Sequence, residues 1–435
     1  MSALLQPGTI VERGPNASYT IAAKISEGTQ GEVYAVNDPR VAIKWYKPEY
    51  LPHDPLLRER LETAIERRSP TPDFLWPFAL VTARGHDSFG YAMPFMEPRF
   101  RSFAEIMRRT VEPSARVLAT VGLNLATNLL QLHVMRGLCY RDISLGNVFF
   151  DPDTAEVRIA DNDNVDVEGR SGGLSGTLGF MPPEVVRGEA APTRFSDLFA
   201  LAVLLFMMFM INHPLKGKKE DELSLDQNDP AGWIRLTGLH PVFVFDPAND
   251  SNRPIPGVHE AALNFWPIYP AFLRRIFIRA FTDGLHDPDA RISENEWKKT
   301  MVRLRDAVFP CQRCTAENHY DADVAGGANQ PQLCWHCRER LVPPPCLHLR
   351  DNGAIVVLSG DTQLYPHHLA DSRYDFSKPW AAVLHSPPAL KNLSADTWTS
   401  RAEDGQLVPI PPGEAMPLHT TCKVNFGRVA GEIRV

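Results

Sequence analysis

Three polar residues far apart in the chain carry the clearest chemical signal. Asp142 and Asn147 stand five residues apart in YRDISLGNVFF (140–150), and Asp161 follows nineteen residues after Asp142 in VRIADND (157–163). A carboxylate and an amide so spaced, in a loop just after a long apolar helix, suit phosphoryl transfer. Asp142 would orient a hydroxyl and accept its proton, while Asn147 would hold a magnesium ion. Asp161, closing an apolar strand, would bridge that metal to nucleotide phosphates, because magnesium prefers a few hard oxygens plus phosphate. Upstream, ISEGTQGEVYAV (25–36) carries Gly28 and Gly31, where a missing Cβ lets backbone pass close over phosphates. The strand VAIK (41–44) ends in Lys44, placed to hold the α- and β-phosphates. A second cluster is of another kind. Cys311-x2-Cys314 and Cys334-x2-Cys337 offer four thiolates in two knuckles, the pattern of a structural Zn2+ ribbon. A redox pair is the alternative, and His319 and His336 are available as substitute ligands. A unit this small lacks a core of its own, so metal binding would contribute its folding energy, on the order of 10 kcal/mol.

These residues need elements to position them. Residues 17–47 alternate apolar and polar positions, with turn signals at Glu27–Gly31 and Asn37–Pro39, which predicts three antiparallel strands. Residues 55–68 read as a charged helix and 78–96 as two further strands. Val117, Val121, Leu125, Leu129 and Leu132 recur at helical spacing from Ser114 to Val134, and a mainly helical region continues to about Phe309. The longest apolar run, Leu198 to Ile211, has 14 residues. A membrane-spanning helix needs about 20, so a buried core helix is expected and no membrane insertion. Val342-Pro-Pro-Pro345 signals a stiff linker. Beyond it IVVL (355–358), WAAVL (380–384) and KVNF (423–426) predict a small all-β unit.

The net charge of −7 argues against a non-specific nucleic-acid binder. Arg313, Arg338 and Arg340 are the residues a nucleic-acid-binding ribbon would use. Four of the seven cysteines fall in the two knuckles, which suggests a reducing compartment. Cys139, Cys346 and Cys422 read as ordinary thiols. The opening MSALLQPGTIVERG lacks the basic and apolar regions of a signal peptide. The expected location is the cytoplasm.

On these motifs, residues 19–306 resemble the eukaryotic-type protein kinases. The resemblance implies an α+β, bilobal protein-kinase fold over 1–309, with an N-lobe at about 17–97 and a C-lobe at 98–309. A small zinc ribbon (310–341) and a C-terminal all-β sandwich (346–435) would follow. It implies ATP, with Mg2+ or Mn2+, bound by Ile25, Gly28, Gly31, Val33, Ala42 and Lys44. MPFME (93–97) would be the hinge that grips adenine, through Met93 and Phe95. In this family the lysine pairs with a helix glutamate; Glu59 and Glu62 are the candidates, Glu59 the preferred one. The resemblance assigns catalysis to Asp142, Lys44, Asn147 and Asp161, with the magnesium on Asn147 and Asp161. GTLGFMPPE (176–184) resembles the end of an activation segment, Asp197 opens the central helix, and Arg291 would pair with Glu184. These features imply a protein Ser/Thr hydroxyl as substrate. Arg141 could pair with a phosphate on Ser171, Ser175 or Thr177, Thr177 being alternatively a structural contact of Asp142.

The departures from the family are specific. Ser26 replaces the first loop glycine, Tyr140 the histidine of H-R-D, Ser144 the lysine that contacts the transferred phosphate, and Asp161-Asn162-Asp163 the usual D-F-G. They motivate a rival reading, a pseudokinase scaffold that binds nucleotide and docks partners through the ribbon and β tail. The tail, with LKNLSADTW (390–398), DGQLVPIPPGEAMPL (404–418) and CKVNFG (422–427), resembles a degenerate forkhead-associated domain. Arg373 and Ser394 are the nearest counterparts of its phosphothreonine readers. The whole arrangement is similar to bacterial kinases of the YegI type and to those linked to TerY-type von Willebrand A proteins. That likeness implies a signalling set whose partners are a type 2C protein phosphatase and a von Willebrand A-type protein.

Overall fold

A computed structural model describes every residue except 1–2, 15–16, 170–175, 224–228, 323–331, 351–352, 371–372 and 402–404. Ser171 and Ser175 therefore lie outside the described residues. The chain divides into two units, Met1–Pro267 with Arg274–Lys298, and Ile268–Leu273 with Lys299–Val435.

In the first unit the alternating N-terminal pattern becomes a closed barrel. Its strands are β1 (Ile10–Glu12), β2 (Ser18–Glu27), β3 (Gly31–Val36), β4 (Val41–Tyr46), β5 (Ala79–Thr82) and β6 (Phe89–Pro94), in the order β1-β2-β3-β4-β6-β5. The predicted strands correspond to β2 through β6. β1 lies before the expected start at residue 17 and closes the barrel by setting Glu12 opposite Thr82 of β5. Leu5 and Val11 are fully buried in the same core as Ile21, Tyr34, Ile43 and Trp45. Three residues are too few to show a period, so closure of the sheet, not local pattern, makes this strand. Helix α1 (Leu57–Arg67) buries Leu57, Arg60, Leu61 and Ala64, spaced i, i+3, i+4 and i+7 on one face.

The rest of the first unit is mainly helical. β7 (Arg101–Ser102) and α2 (Phe103–Met107) lead to α3 (Ala115–Leu130), which Ser114 caps by accepting from the Val117 amide at 3.2 Å. Residues Ala115–Met135 are long and apolar enough to cross a membrane by composition alone, and most of that stretch is buried inside the protein. β8 (Leu138–Cys139), β9 (Val148–Phe150), β10 (Val157–Ile159) and β11 (Asp166–Val167) form short antiparallel pairs, β9 with β10 and β8 with β11. They frame the two motif-bearing loops. After α4 (Pro183–Val186) comes α5 (Arg194–Met210), every residue of which is buried from Ser196 onward. A helix apolar all round belongs in the middle of a core. It starts four residues before the apolar run because Thr193 and Ser196 form a capping box, which a scan for apolar residues does not see.

In the second unit β12 (Val308–Pro310) and β13 (Glu317–His319) form a hairpin that carries the first cysteine knuckle. The expected kinase–ribbon boundary at 309/310 is not where the chain divides. Phe309, Cys311, Cys334 and Leu341 share a core with Cys346 and Val357 of the tail, as expected for a unit too small to bury apolar surface alone. The tail contributes β14 (Cys346–Leu349), β15 (Ile355–Val357), β16 (Gln363–Leu364), β17 (Ala381–His385), β18 (Pro388–Asn392), β19 (Trp398–Arg401), β20 (Leu407–Ile410), β21 (Ala415–Pro417), β22 (Cys422–Asn425) and β23 (Ala430–Arg434). Six strands run in the order β15-β14-β23-β22-β19-β20 and four in the order β16-β17-β18-β21. Both sheets feed one core around Trp398, Leu347, Leu390 and Met416.

Candidate active site

The loop between β8 and β9 holds Asp142 and Asn147. Its backbone is tied down from below: the Asp197 carboxylate, at the start of α5, accepts from the amides of Tyr140 (2.5 Å) and Arg141 (2.8 Å). Arg141 sits at φ 75°, a left-handed conformation that a non-glycine residue adopts only when its surroundings impose it. Asn147 donates to the Asp142 carbonyl (2.8 Å) and to its Oδ2 (3.0 Å), and Thr177 donates to Oδ1 (2.6 Å). Thr177 is thus the structural contact of Asp142, and the Arg141 charge is met by Asp166 at 3.6 Å. Burial pushes the Asp142 carboxyl above its ordinary pKa, and the bonds from Thr177 and Asn147 only partly offset it.

Asp161 follows β10 in a left-handed conformation, φ 50°. Lys44, on β4, reaches it: Nζ lies 3.3 Å from Asp161 Oδ1, 2.9 Å from Asp163 Oδ2 and 2.8 Å from Gln30 Oε1. Burial works against the Lys44 charge, yet Asp163 and Asp161 hold its pKa above the usual lysine value. Lys44 is 6% exposed at its side chain and Asp161 43%, so the pair runs from a dry floor to an open edge. Among the described residues, Asp161 Oδ2 and Asn147 Oδ1 accept from no protein group. Two hard oxygens left unspent suit magnesium, which takes a few such ligands and completes its shell with phosphate and water.

The glycine loop is the β2–β3 turn, closed by the Gly28 amide on the Gly31 carbonyl at 2.8 Å. The two glycines differ. A Cβ on Gly28 meets only the Gly31 carbonyl at 3.8 Å, whereas one on Gly31 lands 2.2 Å from the Trp45 carbonyl. Gly31 is therefore required by its close approach to β4, a reason the sequence reading did not give. Val33 pairs with Lys44 and Ala42 with Met93 across the sheet, while Ile25 is half exposed. The Phe95 amide donates to the Arg40 carbonyl at 2.8 Å, so Phe95 has no N–H to offer adenine.

One expectation is corrected. Glu59 and Glu62 occupy exposed positions of α1, and neither is among the partners of Lys44. The residue that α1 buries here is Arg60, held by Asp54. The apolar stripe Leu57, Leu61 and Ala64 carries the signal, since its phase puts position 60, not 59 or 62, on the inner face. The reading also missed Asp163, Gln30 and Tyr46. Tyr140 replaces the family histidine by donating its hydroxyl to the Ala160 carbonyl. Glu184 and Arg291 pair through one guanidinium nitrogen at 2.8 and 2.9 Å.

In the second unit the four cysteine sulfurs lie within 4.8 Å of one another, Cys311 to Cys337 at 3.7 Å and Cys314 to Cys334 at 3.6 Å. Four ligands about 2.3 Å from a tetrahedral zinc sit about 3.8 Å apart, so the spacing fits that ion. The knuckles repeat one backbone pattern. The Cys311 and Cys334 amides donate to the Ala316 and Glu339 carbonyls, both at 2.8 Å, and Thr315 and Arg338 turn at φ 62° and 60°. His319 is buried against Tyr269, outside the sulfur cluster, and His336 is exposed. Arg313 is paired with Glu339 at 2.6 Å. Ser394 is buried and its hydroxyl is engaged within its own turn, donating to Asn392 at 2.8 Å and accepting from the Trp398 indole at 3.1 Å. That hydroxyl is not free to read a phosphate.

Residues 19–241, just over half of the chain, match the protein kinase domain family. Similar curated proteins include protein kinase C delta type of Mus musculus, 36% identical over 22% of this chain and 14% of its own length. Protein kinase C-like 1 of Saccharomyces cerevisiae is 34% identical over 20% of this chain and 8% of its own. Rhodopsin kinase of Homo sapiens is 38% identical over 20% and 16%. The chain spans less than a fifth of the length of each of these relatives. The match takes in the glycine turn, Lys44, the Asp142 loop, Asp161 and Glu184, and on it the chain belongs to the protein kinase domain family.

Proposed function

We propose that this chain is an ATP- and magnesium-dependent protein kinase that phosphorylates Ser/Thr hydroxyls on a protein partner or on itself. The observation that carries the reading is Lys44 held against Asp161 and Asn147 against Asp142, the two segments joined by the Ala160 amide on the Asn147 carbonyl at 2.8 Å. ATP would supply the phosphoryl group and the divalent ion would neutralise its charge; the protein's part is positioning and charge stabilisation. Lys44 would hold phosphate oxygens, Asn147 Oδ1 and Asp161 Oδ2 would hold the metal, and Asp142 would orient the acceptor hydroxyl. The raised Asp142 pKa suits a group that takes up a proton. A cleft of about 1080 Å³ opens beside Thr177, lined by Leu178, Phe180, His213, Lys216 and Trp233, and offers room for a peptide next to Asp142.

The four sulfurs would hold a structural Zn2+. The tail is read as a β-sandwich that docks partners, like a forkhead-associated domain in its Asn392–Ser394 turn, with the Ser394 hydroxyl engaged within that turn. A bacterial signalling set with a type 2C phosphatase and a von Willebrand A-type protein supplies the expected partners, and the cytoplasm the expected location. Ser144, in place of the phosphate-contacting lysine, favours the rival scaffold reading.

Transfer of label from γ-labelled ATP, measured beside nucleotide binding, separates the two. Asp142→Asn is expected to lower transfer by about 10²–10⁴-fold with nucleotide binding kept. Wild-type protein that binds Mg–ATP and transfers nothing would establish the scaffold instead.

A further inference from the structure

Helix α1 turns a cation, not a carboxylate, toward the cleft. Arg60 is buried, donates to the two Asp54 oxygens at 2.8 and 2.5 Å, and reaches the Asp163 carbonyl with Nε at 3.3 Å. An arginine there gives Lys44 no counter-charge, because two cations in a poorly screened site repel. Asp54 neutralises Arg60 locally, which leaves Lys44 to be answered from elsewhere.

The answer comes from Asp163, 1% exposed. Its Oδ2 accepts from Lys44 Nζ at 2.9 Å and from the Tyr46 hydroxyl at 2.5 Å. Lys44 and Tyr46 are two residues apart on β4, hence on one face of the strand, and a single carboxylate oxygen clamps both. Asp163 Oδ1 is buried with no hydrogen-bond partner, so the side-chain hydrogen bonds that orient this carboxylate come from the lysine and the tyrosine.

Taking the phosphotransfer reading as its basis, we propose that Asp163 is the positioning residue for Lys44, in the role a helix glutamate fills elsewhere in the family. The lysine and the metal ligand Asp161 are then set by one three-residue segment, Asp161 to Asp163. Assembly of the phosphate site then depends on that segment, which α1 meets through Arg60 on the Asp163 carbonyl, and not on a carboxylate of α1.

The test is calorimetric titration of the full chain with magnesium and a non-hydrolysable ATP analogue, alongside thermal unfolding. Asp163→Asn should weaken binding at least tenfold, and should add nothing when combined with Lys44→Ala, because it acts through that lysine. Glu59→Gln and Glu62→Gln should bind as wild type. Should Asp163→Asn prove too unstable to titrate, the Lys44→Ala/Asp163→Asn pair should regain unfolding temperature by removing both buried charges; no recovery overturns the proposal. Wild-type affinity in Asp163→Asn, or weakened binding in Glu59→Gln, also overturns it while leaving the kinase reading intact. Wild-type protein that binds no nucleotide defeats the kinase reading, and the proposal with it.

Discussion

The Lys44 cleft and the Cys311 knuckles both gather residues from distant parts of the sequence, by opposite means. In the cleft, opposite charges attract: Lys44 with Asp163 and Asp161, Arg60 with Asp54, and around them a packed barrel and the buried α5. In the knuckles four groups that become alike in charge when ionised are brought within 4.8 Å, over a core of only a few side chains shared with the tail. The first arrangement holds itself. The second is compatible with a cation: ionised, the four sulfurs would repel at that distance unless a metal lay between them.

The largest expected effect separates the two regions directly. Chelation at neutral pH, or Cys311→Ser with Cys334→Ser, should remove one zinc per chain and on the order of 10 kcal/mol of folding energy from the ribbon. Limited proteolysis around residues 311–341 would report it. A ribbon that stays protease-resistant without metal would erase the contrast.

Asp54→Ala probes the self-held region. Leaving Arg60 buried and unpaired should cost about 3–5 kcal/mol, read as a fall in the unfolding temperature. Asp54→Ala with Arg60→Met should recover most of it. A single variant as stable as wild type would mean that the charge pairs do not hold this cleft.

The smallest effect sharpens the comparison from beneath the Asp142 loop. His133 lies 3.0 Å from Asp197 and 2.5 Å from Glu294. Burial opposes its charge, but the two carboxylates raise its pKa to about 9. A histidine raised in the folded state stabilises fully below its ordinary pKa near 6.5, and that contribution is lost as pH rises through about 9. Melting curves between pH 6 and 9.5 should show a loss of about 1–3 kcal/mol, flattened in His133→Asn. An equal slope in both proteins would assign the pH dependence to other groups.

Chemical identity was legible wherever motif spacing is set by covalent distance along the chain. Asp142 and Asn147 share one loop, each C-x-x-C pair makes one knuckle, and the glycine turn and Lys44 sit on adjoining strands. Helix α1 and the buried run of α5 were equally legible, since period and length are local properties. Ser394 shows the limit: the sequence offers it only as the nearest counterpart of a phosphate reader, and its bonds to Asn392 and Trp398 show a hydroxyl engaged within its own turn.

By itself the sequence determined the motif residues, the lysine strand, the cysteine pairs and most of the elements that carry them, because residue type and short-range periodicity encode those. Tertiary structure alone decided that Asp163 answers Lys44, that β1 closes the barrel and that the ribbon shares the tail's core. Each of these depends on the distance between residues tens of positions apart. Burial makes such pairings count, since a charge removed from water must find its partner wherever the fold has put one.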